Sequence, residues 1–313
     1  MSGRPRELLA LVVVVLALIA VFGLTTGRFF AVSTFRTIAN QIPEAVIAAV
    51  GLTYVLVIAG IDLSVGSVLA LSSGVLGVAL ARRGAPLPIA ALAALLTGAA
   101  CGAVNGALVV AWRVPSFIAT LGMLEMARGA TYLVTRSETQ YLGRHVEAVA
   151  SAEILGLSIP FLGAVVLVAL AEFVLIRTVF GRYMVAIGTN EEVVRLAGID
   201  PRPVKLAVFV LSGTLAAAAG IVYASRLASA DPNAGVGFEL TAIAAVVVGG
   251  TSLAGGRGSV LGSFLGVVII AVLESGLAQA GAQEPTKRLV TGAVIVAAVL
   301  ADHYRRARGG APS

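Results

Sequence analysis

Charge is scarce in this sequence, at 12% of residues, where an ordinary soluble domain carries roughly 25%. That excludes a soluble protein with an enlarged core, because the remainder is 58% apolar and falls in blocks of spanning length, about 20 residues each. Cysteine occurs once, as Cys101, so no internal disulfide staples the fold. The two histidines, His145 and His303, lie far apart, and with one cysteine they exclude a Cys/His metal site. Lysine occurs only as Lys205 and Lys287, after Val204 and Thr286. There is therefore no G-x-x-x-x-G-K-[ST] phosphate loop, and the chain does not hydrolyse ATP itself. A nucleophile elbow and an H-E-x-x-H helix are missing too, which leaves an enzyme little to stand on. The 22 basic residues are scattered through the loops and form no nucleic-acid stripe. Excess Lys and Arg in a membrane protein is a topology signal instead.

What is present is an apolar chain of mean hydropathy +1.00 with 36 glycines, as close helix packing in lipid favours. The pattern predicts an all-α integral membrane protein of about ten transmembrane helices, some short or broken, in one polytopic domain over 1–313. The helices are expected at 8–24, 42–59, 64–81, 87–111, 115–135, 160–178, 205–226, 240–252, 258–278 and 287–302, with 240–252 half-inserted or tilted. Arg4 and Arg6 precede the run from Leu8 to Leu24, which is long for a signal h-region and lacks a convincing cleavage site. It reads as an uncleaved first helix. Ten spans put both termini on one side, with the 137–159 loop outside and the 179–204 loop inside. Twelve basic residues then fall inside and nine outside, a small bias of the expected sign. The basic start and the Arg305-Arg306-x-Arg308 tail place both termini in the cytoplasm.

Gly98, Gly102 and Gly106 recur every four residues, as do Gly258, Gly262 and Gly266. Each set lies near one helix face, where a neighbouring backbone can approach. Asp62 and Ser64 sit in a polar break, Ala59-Gly60-Ile61-Asp62-Leu63-Ser64-Val65-Gly66-Ser67. Such a break at depth needs protein or a water-filled cavity around it. The pair either structures a turn, with Ser64 as N-cap of the next helix, or touches the solute. Asn105 lies near mid-span and can bond across helices. Glu125 and Arg128, three apart, can neutralise each other. Glu172 and Glu274 sit late in their runs. Together with Asn233, Asp62, Ser64 and Asn105 are the candidates for a pathway or gate.

Two polar segments interrupt the second half. One is Gly181 through Ile199, containing Gly188, Asn190, Glu191, Glu192, Arg195 and Gly198; the other is the glycine-rich hairpin from Val248 to Ser259. Asn190 before two glutamates is an N-cap with acidic residues in the first turn. A charged helix outside the lipid, held between apolar spans, reads as a docking surface for a soluble partner.

These motifs resemble the membrane permease of bacterial ABC importers for ribose and related monosaccharides. The resemblance runs in stretches from about residue 41 to 302. It rests on Gly60-Ile61-Asp62-Leu63-Ser64-Val65-Gly66-Ser67, on Val114-Pro115-Ser116-Phe117 with Ala127-Arg128-Gly129, on Gly188-Thr189-Asn190-Glu191-Glu192 through Ile199, on Pro232-Asn233-Ala234-Gly235, and on Gly249-Gly250-Thr251-Ser252 through Ser259. The resemblance implies a coupling segment at about 181–204 and a cytoplasmic ATP-binding subunit that uses ATP and Mg. It also implies a second permease subunit, identical or paralogous, and an extracytoplasmic sugar-binding protein. The permease itself carries no cofactor. Four positions depart from the family pattern. Ala59 stands where a glycine is common, and Glu125 where a small or hydroxyl residue is expected. Glu274-Ser275 replaces an asparagine pair, and Thr286-Lys287-Arg288 replaces an aromatic-plus-glutamine start to the last helix. They bear on the solute and on the identity of the second permease. An ion-coupled secondary transporter would be similarly polytopic, but would need coupling carboxylates in the membrane and no docking loop.

Overall fold

The computed structural model describes residues 4–27, 29–143, 146, 149 and 152–309. Among these the chain is helical throughout: α1 Arg4–Thr25, α2 Val32–Gln41, α3 Pro43–Val57, α4 Val65–Ala81, α5 Leu87–Ala111, α6 Ser116–Thr135, α7 Ile159–Arg177, α8 Val179–Thr189, α9 Glu191–Leu196, α10 Arg202–Leu227, α11 Phe238–Val248, α12 Val260–Gln279 and α13 Glu284–Gly309. Four two-residue strands, β1 Gln140–Tyr141, β2 Glu153–Ile154, β3 Leu157–Ser158 and β4 Ser229–Ala230, form two short antiparallel pairs, β1–β4 and β2–β3.

Each of the ten expected helices has a counterpart, because apolar runs and their Pro and Gly boundaries are local signals. Five helices are long and apolar enough to cross a membrane: α1, α5, α7, α10 and α12, and a sixth is gained if the bent α2–α3 pair is one span. The segment expected at 240–252 is α11, 11 residues long. At 1.5 Å per residue it covers about 16 Å, roughly half a bilayer core. It stops at Gly249-Gly250, the second in the left-handed region. α2 was not expected, since Arg36, Asn40 and Gln41 make it too polar for a span.

α3 is the centre of the molecule. Of its residues only Ala45 is not buried, as suits a helix apolar all round. α10 packs on α3, α4 and α5, while α12 holds α1, α3 and α11. Glycines set the closest of these contacts. A Cβ on Gly98 would lie 2.2 Å from the Gly213 carbonyl of α10, and one on Gly102 2.2 Å from that of Phe209. On α12, a Cβ on Gly266 would lie 1.9 Å from the Ala245 carbonyl, and one on Gly262 2.3 Å from that of Gly249.

The fold has two distinct ends. Glu7 at the start of α1, Arg182 in α8 and Ser259 before α12 line one cavity, so the start of α1 and the 181–199 segment share an end. The strand pairs lie at the other, where Asn40 receives the backbone N–H of Ser158 and donates to the Gly156 carbonyl. Arg144 of the loop expected outside lies beyond the described residues.

Between β4 and α11 the backbone is irregular. It follows α4 from Gly77, which faces Ala230, to Gly66, which faces Gly235. Arg128 does not pair with Glu125. It donates to the carbonyls of Pro232 and Ala234, at 2.9 and 2.7 Å, and so satisfies backbone groups that this irregular segment leaves unpaired.

Ala59 has a φ of 59°, a region that costs a side-chain-bearing residue about 1–2 kcal/mol. This explains why glycine suits the position. Replacing Ala59 with Gly should stabilise the purified protein by about 0.5–1 kcal/mol, the relief of strain less the extra chain entropy of glycine. A thermal melt in detergent with no gain, or a loss, would contradict the strain assigned here.

Candidate coupling surface and buried polar cluster

The 181–199 segment is built from local signals. Thr178 caps α8 by accepting from Gly181 N–H at 3.2 Å, and Asn190 caps α9 by accepting from Val193 N–H at 3.1 Å. Gly198, with a φ of 79°, ends α9 and lets the N–H of Ile199 reach the Val194 carbonyl at 3.2 Å. Gly188 is the close approach. A Cβ there would lie 1.8 Å from the Val57 carbonyl and 2.6 Å from Gly256 N. Gly256 N–H itself donates to Val57 O at 2.9 Å. Three segments distant in sequence thus meet: the end of α3, the end of α8 and the glycine hairpin.

The two glutamates differ. Glu191 is tied to Lys205 at the start of α10, 2.9 Å away, and to Arg195 one turn on. Its partial burial works against the charge, but Lys205 and then Arg195 outweigh that and hold its carboxyl below its ordinary value of 4.5. The side chain of Glu192 is 70% exposed, with only a 3.9 Å contact to Arg195. Glu191 therefore anchors α9, and Glu192 faces outward. Beside them lies a groove of about 460 Å³ lined by Ala59, Gly60, Arg113, Pro115, Glu192 and Arg202, among others. It joins three of the sequence motifs at one end of the molecule.

Asp62, Ser64 and Asn105 come together; Asn233 does not join them. Asp62 Oδ1 accepts from the backbone N–H of Ser64 at 3.0 Å and from its hydroxyl at 2.6 Å, and Oδ2 accepts from Ser212 Oγ at 2.8 Å. Asn105 Nδ2 donates to Ser64 Oγ at 3.0 Å. Asp62, Ser64, Asn105 and Ser212 are each about 1% exposed. The Ser64 side chain thus serves Asp62 and does not cap α4. Asn233 is exposed and accepts from Tyr132 OH at 2.8 Å. Glu172 is buried, and its Oε2 accepts from the first two N–H groups of α12, Val260 at 2.6 Å and Leu261 at 3.2 Å. It complements the positive end of that helix. Nothing in the sequence marked Ser212, which is one polar residue in an otherwise ordinary run, and nothing tied Lys205 to Glu191, 14 residues earlier. Among the described residues no group of His, Cys, Asp and Glu is arranged to hold a metal.

Residues 34–299 match the family described as branched-chain amino acid transport system / permease component. The chain is 40% identical to the ribose import permease protein of Haemophilus influenzae, over 96% of this chain and 93% of that one. It is 39% identical to the ribose import permease protein of Escherichia coli K12, over 97% and 94%. It is 37% identical to the fructose import permease protein of Rhizobium meliloti, over 95% and 85%. No solved structure matches. With apolar helices of spanning length and a family match over most of its length, the chain belongs to the permease components of these transport systems, and it is a transport protein and not an enzyme.

Proposed function

We propose that this chain is the membrane permease of an ATP-binding-cassette importer for a monosaccharide or a similar small polar solute. The observation that carries this reading is the α8–α9 surface: a capped charged helix, α9, follows α8, which Gly188 seats against Val57 of the buried central helix and Gly256 of the hairpin. A secondary transporter has no use for such a device. A separate cytoplasmic subunit uses ATP and Mg and grips α8–α9, and an extracytoplasmic binding protein delivers the solute. The relatives named for ribose and fructose import support a sugar.

The chain makes about ten crossings of the bacterial cytoplasmic membrane, with both termini and the coupling segment in the cytoplasm. One crossing combines the irregular 231–237 segment with the half-length α11. A second permease subunit covers the open face of α6. There Gly122 and Gly129 have no neighbour within 4 Å of a Cβ, and Glu125 is exposed, where bare lipid would be costly for a carboxylate.

Reconstitution tests the reading. The chain alone should show neither ATP hydrolysis nor ATP-driven uptake, and adding its ATP-binding partner should create both. A cysteine placed at Asn190, with Cys101 replaced, should label only from the partner's side. Strong uptake driven by a proton or sodium gradient without the partner would sink the importer assignment.

A further inference from the structure

The start of α1 stands apart from α8 and the glycine hairpin across a cavity of about 570 Å³. α1 packs mainly on α12, and only 11% of its spanning window is buried. The apolar lining of the cavity includes Leu8 and Leu11 of α1 and Leu175 and Ile176 at the end of α7. Both helices are long and apolar enough to cross a membrane, so this lining continues into their spanning surfaces. The polar lining includes Glu7 of α1, Arg182 of α8 and Arg257 of the hairpin. Gly181 sets the place of Arg182. A Cβ there would lie 2.1 Å from the Leu175 carbonyl, so the start of α8 folds tightly back on the end of α7. The side chains of Glu7 and Arg182 make no hydrogen bond or ion pair among the described residues, whether with each other or with a third group.

We propose that this cavity seats one membrane phospholipid, and that its headgroup is ethanolamine. A charged pocket whose lining runs on into spanning surfaces matches a molecule with a charged head followed by apolar chains. Basic pockets between spans take lipid headgroups in this way. The phosphodiester offers acceptor oxygens to the planar fork of Arg182, and Arg257 adds positive charge to the same site. The ammonium of ethanolamine carries three donors and no acceptor, while the carboxylate of Glu7 offers only acceptors. The cavity thus holds one charge of each sign, unpaired with each other, as phosphoethanolamine does. A choline head keeps the positive charge but has no N–H to donate. A glycerol head brings hydroxyls but no positive charge. The orientation proposed above makes the leaflet the cytoplasmic one; the site itself stands without the importer reading.

The seat adjoins two of the closest contacts in the fold. Gly256 lines it, packs against Thr189 at the end of α8 and donates its N–H to the Val57 carbonyl at 2.9 Å. Gly249 lines it too and meets the Gly262 carbonyl where α11 packs on α12. A lipid here ties the start of α1 to both contacts and replaces water against leucine side chains. Because it binds the folded chain, it also raises its stability.

Native mass spectrometry of the full chain, purified in detergent and freed of lipid, tests the seat. Phosphatidylethanolamine, phosphatidylcholine and phosphatidylglycerol with identical acyl chains are added in turn. Glycerophosphoethanolamine and inorganic phosphate serve as probes without acyl chains. One ethanolamine lipid per chain should bind at least about fivefold more tightly than the other two lipids, through its extra charge-assisted hydrogen bond, and the probes without acyl chains should not hold. Arg182→Ala should weaken all three lipids about tenfold, the worth of one hydrogen bond to a charged group. Glu7→Gln should remove the preference for ethanolamine over choline and leave the choline lipid as it was. Leu11→Trp fills the apolar part of the cavity and should weaken all three lipids alike, so the seat is still tested if Arg182→Ala does not fold. Equal binding of the three lipids would overturn the proposal, as would binding unaltered by both Arg182→Ala and Leu11→Trp. Loss of the lipid when the ATP-binding subunit is added would give Arg182 to that partner and overturn it too. None of these readouts uses transport, so their failure leaves the importer reading standing.

Discussion

Reversing Glu192 to Lys removes most ATP-driven uptake while the chain still reaches the membrane in normal amount. The side chain is 70% exposed and touches only Arg195, at 3.9 Å, so its loss does not disturb the fold. What changes is the sign of the surface offered to the ATP-binding subunit. Reversing Glu191 acts differently. It breaks the 2.9 Å pair with Lys205 and detaches α9 from α10, so docking and transmission fail together. The rival view is that both residues merely solvate a loop, in which case each is worth no more than about 1 kcal/mol and transport stays near normal. Sugar uptake and sugar-stimulated ATPase in matched proteoliposomes separate the two. A Glu192→Lys protein that transports like its parent would remove the coupling role. The folded carboxyl of Glu191 is held below its ordinary value of 4.5. Its stabilising effect is complete above that value and is lost as pH falls through the lower folded one. Near neutral pH the anchor is constant, so pH dependence of transport there has another origin.

The second large effect is at Asp62. Asp62→Ala strips the acceptor from three donors at once: Ser64 N–H, Ser64 Oγ and Ser212 Oγ. The site is 1% exposed, and each stranded donor costs about 1–3 kcal/mol. Some hydroxyls rotate to other partners, so a net loss of about 3 kcal/mol is expected, lowering the melting temperature by on the order of 5–10 °C. Asp62→Asn should recover most of this. Its oxygen accepts from Ser64, and its amide donates to Ser212, whose hydroxyl can turn to accept. Thermal unfolding in detergent and uptake in proteoliposomes are both read. An Asp62→Ala protein that melts normally but does not transport would make Asp62 a solute contact and end its role as organiser of the break.

The two results divide along a line visible in the sequence itself. The charged helix α9 was legible because its signals are short-range: Asn190 caps three residues ahead, and the glutamates follow the cap directly. The polar break around Asp62 was legible as a break for the same reason. Its partner Ser212 was not, being 150 residues away and one serine in an apolar run. Arg128 differs from its sequence expectation for a related cause. Helical spacing pairs it with Glu125, but the carbonyls that claim Arg128 belong to a segment 104 and 106 residues on. A backbone acceptor has no side chain to announce it.

By itself the sequence determined the membrane class, the approximate limits of the apolar helices and the Asn190 cap of α9. Each follows from hydropathy or from contacts within one helical turn. Only the tertiary structure decided that α11 is a half-length helix ending at Gly249-Gly250, that Gly188 meets Val57 and Gly256, that Glu172 caps α12, and that Glu7, Leu175, Arg182 and Arg257 line one cavity. Those facts depend on which helix lies beside which. In an apolar chain that choice is set by close backbone contact at glycines and by scattered polar groups finding partners far along the sequence.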